Sequence, residues 1–190
     1  MSSSKSALAA LVLALVGCGE GRAEGPAPKS PAAPSSPVAA YFPLPEGNIF
    51  HYVTDEGGEP GMLVARVHRT DETHAELRMS NAAKRFVTTS SGVSYDGGAF
   101  LLKTPLEVGA SWAGEHGGTT RIDAMDAEVT VPAGHFTGCL RTVEEGGRPP
   151  GSRYATTYCP GVGMVLLEVT ANGASAKAAL KSHGPPVQIR

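Results

Sequence analysis

The chain has 190 residues, with 16 lysines and arginines against 18 aspartates and glutamates, and a formal net charge of −2. That length suits one domain with a sizeable hydrophobic core. The slightly acidic charge, with no basic cluster, argues against a nucleic-acid partner. The 24 glycines and 15 prolines indicate a linker joined to a turn-rich β domain.

An export signal begins the chain. The positive charge of Lys5 is followed by an apolar stretch over residues 7–16 and then by the small residue Gly17. This stretch is about half as long as the roughly 20 apolar residues that cross a membrane, which is typical of a signal peptide. The segment ending at Cys18 resembles the cleavage and acylation site of bacterial lipoproteins. The resemblance implies cleavage after residue 17 and attachment of a diacylglyceryl group to the Cys18 thiol.

The predicted signal peptide therefore covers residues 1–17, and Cys18 is the predicted lipidation site. An ordinary secretory signal with a chance cysteine is the alternative. Two or three acyl chains would hold the protein firmly, at about 0.8 kcal/mol per buried CH₂. By similarity to Gram-negative sorting rules, Gly19 in place of aspartate favours the outer membrane. We expect a lipid-anchored protein of the cell envelope, facing the periplasm or the exterior.

Residues 18–40 contain the lipidated cysteine and a segment rich in proline, alanine and serine. Such a segment has too little apolar surface to fold and favours extended geometry, so it predicts a disordered linker.

An all-β domain is predicted over residues 41–184, with a short tail over 185–190. Apolar and polar residues alternate in short runs, which is typical of strands with one buried face. The clearest runs occupy residues 63–68, 73–79, 127–131 and 164–169. Glycine-rich turn signals lie at residues 55–58, 96–98, 145–147 and 171–174. We expect roughly eight to ten strands in a single antiparallel meander, forming a strongly curled sheet or an open barrel.

Cys139 and Cys159 flank a loop rich in glycine and proline. A hairpin centred near Pro149 places them opposite each other. Facing residues at non-hydrogen-bonded positions have Cα atoms about 4.5–5.5 Å apart, close enough for a disulfide. Outside the cytoplasm such a bond persists. We predict a disulfide between Cys139 and Cys159, and two buried free thiols are the alternative.

Four motifs occur in order along the predicted domain. They are YFPLPEGN at 41–48, LEVGASW at 106–112, VPAGHFTGC at 131–139 and YCPGVGMV at 158–165. Together they resemble a widespread group of uncharacterised bacterial envelope lipoproteins, over essentially all of residues 41–180. The resemblance implies an antiparallel β domain, similar to the curled sheets of lipoprotein carriers, and implies no activity. Many members of the group have another residue where Cys159 stands. On physical grounds the motifs are turns, and Trp112 is a core or rim anchor.

No arrangement of catalytic or metal-ligating residues is recognisable in the sequence. The six histidines are not paired at metal-ligand spacing, and the cysteines form no CxxC motif. Neither a G-x-S-x-G elbow nor a phosphate-binding loop is present. His116 and His135 are the residues to test for hydrolase activity, although a mobile, solvated loop is the simpler interpretation of His116. We predict no catalytic residue, no metal and no cofactor.

The functional expectation is a non-enzymatic binding or carrier module of the cell envelope. A curled antiparallel sheet has a concave apolar face that can hold a lipid or a segment of a partner. The alternative is a structural or assembly lipoprotein that contacts another envelope protein, and a hydrolase is the third hypothesis. The expected partners are the membrane, through the lipid anchor, and a lipid or an envelope protein.

Overall fold

The computed structural model describes residues 36–187. The predicted signal peptide, Cys18, most of the predicted linker and residues 188–190 of the predicted tail lie outside the described residues. Between residues 36 and 187, no helix has both the length and the apolar composition that a membrane span requires.

The domain consists of one short helix followed by twelve strands. They are α1 (Pro37–Tyr41), β1 (Ile49–Glu56), β2 (Glu59–Arg69), β3 (His74–Arg78), β4 (Ala83–Thr89), β5 (Gly92–Tyr95), β6 (Phe100–Lys103), β7 (Ser111–Ala113), β8 (Thr119–Val131), β9 (Gly134–Glu145), β10 (Arg153–Cys159), β11 (Gly163–Ala171) and β12 (Ala174–Gly184). The predicted all-β class is confirmed, but the expected eight to ten strands are too few. Strands β5, β6 and β7 have only four, four and three residues, too few to show an alternating pattern.

All twelve strands form one antiparallel sheet in the order β6-β5-β4-β3-β2-β1-β12-β11-β10-β9-β8-β7. Each strand pairs with the next strand in sequence, except that β6 does not pair with β7, and β1 pairs with β12. The predicted antiparallel meander is therefore confirmed. The sheet curls into a nearly closed barrel whose two edge strands, β6 and β7, form no backbone ladder with each other. Across this open seam, the indole Nε1 of Trp112 donates a hydrogen bond to the Phe100 carbonyl oxygen at 2.9 Å. Trp112 is buried, as the sequence predicted for an anchor.

The hairpin between β11 and β12 follows directly from its sequence. Asn172 and Gly173 have φ angles of 52° and 78°. Two successive positive φ angles are what a two-residue hairpin turn of type I′ requires, and asparagine followed by glycine tolerates them best. The turn sets the register that pairs Ala171 with Ala174.

Helix α1 overlaps the end of the segment predicted as linker, residues 18–40, and it packs at one end of the barrel. Val38 is fully buried. The Ala40 carbonyl oxygen accepts a hydrogen bond of 2.8 Å from the backbone N–H of Gly161, in the turn between β10 and β11. Packed structure is therefore present among residues 36–40, which precede the predicted domain boundary at residue 41. A single apolar residue among prolines and alanines gives no periodic signal, so the sequence pattern missed this segment.

The structure joins Cys139 of β9 and Cys159 of β10 by a disulfide, with their Cα atoms 4.2 Å apart. The register of the two strands pairs Tyr158 with Leu140 and Arg153 with Glu145. That register centres the hairpin on residue 149, as the sequence predicted. The bridge lies near the end of β10 that faces α1, and both of its cysteines are buried.

Candidate functional site

The interior of the curled sheet is hollow. A cavity of about 310 Å³ lies between strands on opposite sides of the barrel. Its wall is mostly apolar because inward positions of the alternating strands carry apolar side chains. Leu63, Ala65, Leu77, Phe86, Phe100 and Leu167 are among the lining residues.

Aromatic rings form the floor of the cavity, at the end that α1 covers. The ring of Phe42 packs edge-on against Phe86 and Tyr158, with centroids 5.1 and 6.1 Å apart. The phenol of Tyr52 donates a hydrogen bond to the Met164 carbonyl oxygen at 3.0 Å. Burial raises the pKa of Tyr52 and that of Tyr158, so both phenols are uncharged at neutral pH. The floor is therefore neutral and largely apolar.

Polar side chains gather at the opposite end of β10, where Glu144 holds the loop between β7 and β8. Its side chain is 7% exposed. Its carboxylate accepts hydrogen bonds from the backbone N–H groups of His116 at 2.8 Å and Gly118 at 3.1 Å. Oε2 of Glu144 also lies 3.0 Å from Nδ1 of His116. Because a carboxylate only accepts, Nδ1 of His116 carries a proton and donates to Glu144.

The His116 ring is fixed on its other side by Tyr154. The two rings stack with centroids 3.6 Å apart and an interplanar angle of 3°. The His116 carbonyl oxygen accepts a hydrogen bond of 2.9 Å from the backbone N–H of Arg148. Stacking and hydrogen bonds therefore hold His116 at the cavity wall, where its side chain is 33% exposed.

An ion pair completes the polar end. Nζ of Lys84, on β4, lies 2.7 Å from Oε1 of Glu115, which follows β7. The same ammonium lies 5.1 Å from the centroid of the Tyr95 ring. Burial by itself would raise the pKa of Glu115, but hydrogen bonds from Lys84 and Tyr95 outweigh it and lower that pKa. The ion pair thus spans the open seam, with Glu115 as a charged carboxylate.

His135, Cys139 and Cys159 do not line the cavity. The side chain of His135 is 56% exposed, and its Nδ1 lies 3.0 Å from Oγ1 of Thr130. Cys18 lies outside the described residues. Within residues 36–187, the structure shows no group of three or more histidine, cysteine, aspartate or glutamate side chains arranged to hold a metal ion.

The sequence analysis missed Glu144 because the pattern of β9 is ambiguous. Thr142 and Glu144 line the cavity, but Val143 on the other face is buried as well. Alternation therefore does not show which face points inward, and a glutamate near the end of a strand looks like a solvated charge. The one related feature of the sequence is Gly114. In the fold, a Cβ atom at this position would overlap the Glu144 carboxylate, so glycine permits the close approach of the two residues.

Comparison with solved structures shows a similar fold in a predicted exported protein of YmcC-like fold from Bacteroides fragilis. The TM-score is 0.50 at 13% sequence identity, over 76% of this chain and 98% of that one. A predicted lipoprotein from Parabacteroides distasonis matches over the same shares at the same identity with a TM-score of 0.43, too low to support a conclusion. At this identity the first likeness concerns the fold alone. No protein-family model matches the chain, and no curated protein is significantly similar to it.

Proposed function

We propose that this domain is a non-enzymatic module that binds one small amphiphile with a single apolar chain. The observation that carries the proposal is the cavity of about 310 Å³, with an apolar wall, an aromatic floor and one polar end. Sites for small molecules typically measure about 300–1,000 Å³. A cavity at the lower limit of that range suits one chain better than the two or three chains of a membrane lipid.

We further propose that the protein works in the cell envelope, attached through acyl chains on Cys18. The predicted export signal supports this location, as does the disulfide, which persists outside the cytoplasm. The neighbour of similar fold is described as exported, which agrees with it. We propose the outer membrane as the site of attachment because Gly19, rather than aspartate, follows Cys18.

The chain enters the described domain at α1, which covers the end of the barrel with the aromatic floor, whereas the polar end lies at the other end of β10. Seven residues of strand separate the two ends by about 20 Å. An anchor that precedes α1 in the chain is therefore joined to the domain at the end away from the polar end.

One feature favours the alternative, a structural or assembly role. Met62 and Val64 are 62% and 43% exposed on the outer face of β2. Val53 of β1 faces Met62 across the strand pair. This outer patch, defined by Met62, Val64 and Val53, could contact another envelope protein. It is small, and it does not explain the cavity.

The test is a titration of the full-length protein carrying Cys18→Ser, which cannot be acylated at that position. A twelve-carbon alcohol is added below its micellar concentration and followed by calorimetry and by the fluorescence of Trp112, the one tryptophan in the sequence. We expect one molecule bound per chain. Met62→Ser, on the outer face of the same barrel, serves as control and should bind equally well. No binding of any single-chain amphiphile would refute the proposal and leave the assembly role.

A further inference from the structure

We propose that the ligand of the cavity carries a positively charged amine as its head group, held at the polar end by Glu115 and Tyr95. This inference rests on the proposed function, since it specifies the ligand of the same cavity. Three features of the polar end support it.

The first feature is the charge of the polar end. Two carboxylates, Glu115 and Glu144, line the cavity there, and Lys84 is the one ammonium among its lining residues. The polar end therefore has one carboxyl group more than it has ammonium groups. The Glu115 and Glu144 side chains are 32% and 7% exposed. Charges that are partly withdrawn from water act more strongly on one another than exposed ones. An anionic head group would therefore be repelled and a cationic one attracted.

The second feature is that the structure already shows an ammonium at this place. Nζ of Lys84 lies 2.7 Å from the Glu115 carboxylate and 5.1 Å from the centroid of the Tyr95 ring. A carboxylate beside an aromatic face is an arrangement that binds ammonium ions. The Lys84 side chain is 47% exposed at the end of a flexible stem. It can turn into solvent, and a ligand amine can then take its position.

The third feature is that hydrogen-bond acceptors predominate at the polar end. The carboxyl groups of Glu115 and Glu144 line the cavity there, against the single ammonium group of Lys84. A primary ammonium carries three N–H donors. In the position of the Lys84 ammonium it can donate to the Glu115 carboxylate and face the Tyr95 ring, while the apolar chain extends along the wall towards Phe42. A carboxylate or phosphate head group offers acceptors where acceptors already predominate.

The experiment compares three probes that share one apolar chain: dodecylammonium, dodecanol and dodecanoate. Each is titrated at pH 7.5, below its micellar concentration, into the full-length protein carrying Cys18→Ser. We expect dodecylammonium to bind tightest and dodecanoate weakest. Removing one charge beside the head group, at side chains that are partly exposed to solvent, should change the affinity about fivefold. Lys84→Met should therefore tighten dodecylammonium binding about fivefold, and Glu115→Gln should weaken it about fivefold.

The two variants control for each other because both remove the same ion pair. If that pair only stabilised the barrel, both substitutions would change amine binding in the same direction. Glu128→Gln removes an acidic side chain that is 69% exposed and does not line the cavity, so it should leave all three affinities unchanged. Equal or tighter binding of dodecanoate, or shifts of the same sign in the two variants, would overturn the amine assignment. If the amine assignment fails but dodecanol binds, the proposal that the cavity binds an amphiphile stands. If none of the three probes binds, both that proposal and the amine assignment are refuted.

Discussion

Replacing Ala65 by leucine tests directly whether the barrel is hollow. Ala65 lies on β2, is 4% exposed and lines the cavity. Leucine adds three carbons, and each buried CH₂ stabilises by about 0.8 kcal/mol. The loss of rotamer freedom of the buried leucine side chain opposes this gain by about 0.5–1 kcal/mol. Ala65→Leu should therefore raise the free energy of unfolding by about 1.5 kcal/mol.

The matched control is Val67→Phe. Val67 lies two residues further along β2, on the same face, and is 1% exposed without lining the cavity. Phenylalanine adds four carbons to a closed part of the core, where overpacking costs about 1–3 kcal/mol. The two substitutions add three and four carbons at inward positions of one strand. If Ala65→Leu stabilises the protein and Val67→Phe destabilises it, the difference shows that there is empty space beside Ala65.

Urea unfolding measures both variants, with an unchanged m-value as the sign that the two-state comparison holds. A gain of 1.5 kcal/mol corresponds to a rise in Tm of roughly 3–6 °C for a domain of this size. Ala65→Leu should also weaken dodecanol binding at least tenfold, because its side chain occupies the space of the ligand chain. If Ala65→Leu destabilises the protein as much as Val67→Phe does, the interior is filled and the reasoning is wrong.

Two further predictions concern the supports of the cavity. The double variant Cys139→Ala/Cys159→Ala opens a loop with a sequence separation of 20 and should lower the free energy of unfolding by about 3 kcal/mol. Reduced wild-type protein should show the same loss in urea, and a loss below about 1 kcal/mol would contradict the chain-entropy argument. Glu144→Gln weakens the acceptor of three hydrogen bonds and should cost about 2 kcal/mol. Faster hydrogen exchange at the His116 and Gly118 amides should accompany it, and unchanged exchange would show that Glu144 does not hold the loop.

The fold could be predicted because its long strands obey simple local rules. Residues 63–68 and 164–169 alternate clearly and lie within β2 and β11. The Asn172-Gly173 pair specifies its turn chemically. The number of strands was underestimated because strands as short as β5, β6 and β7 leave only three or four residues in which alternation can appear. Helix α1 was missed because its packing depends on Val38, whose partners come from distant parts of the chain.

The polar end could not be predicted because its members meet only in the folded barrel. Lys84 and Glu115 are 31 residues apart, and His116 and Glu144 are 28 apart. Each looks like an ordinary surface residue in its own segment. Glu144 faces inward because of the register of β9, and the Val143 beside it would have suggested the opposite face. Such a site depends on strand pairing, which alternation and turn signals do not specify.

A hollow interior is harder still to infer from sequence. Alternation shows which side chains point inward, but it does not show whether side chains from opposite sides of the barrel contact one another. Along β2 the inward positions are Leu63, Ala65 and Val67, and all three fit the same apolar pattern. Only Val67 lies in the closed core, while Leu63 and Ala65 line the cavity. The difference depends on the side chains across the barrel and on its width, which the strand number and tilt determine. A sequence pattern that underestimated the number of strands would also have underestimated that width, and with it the space inside.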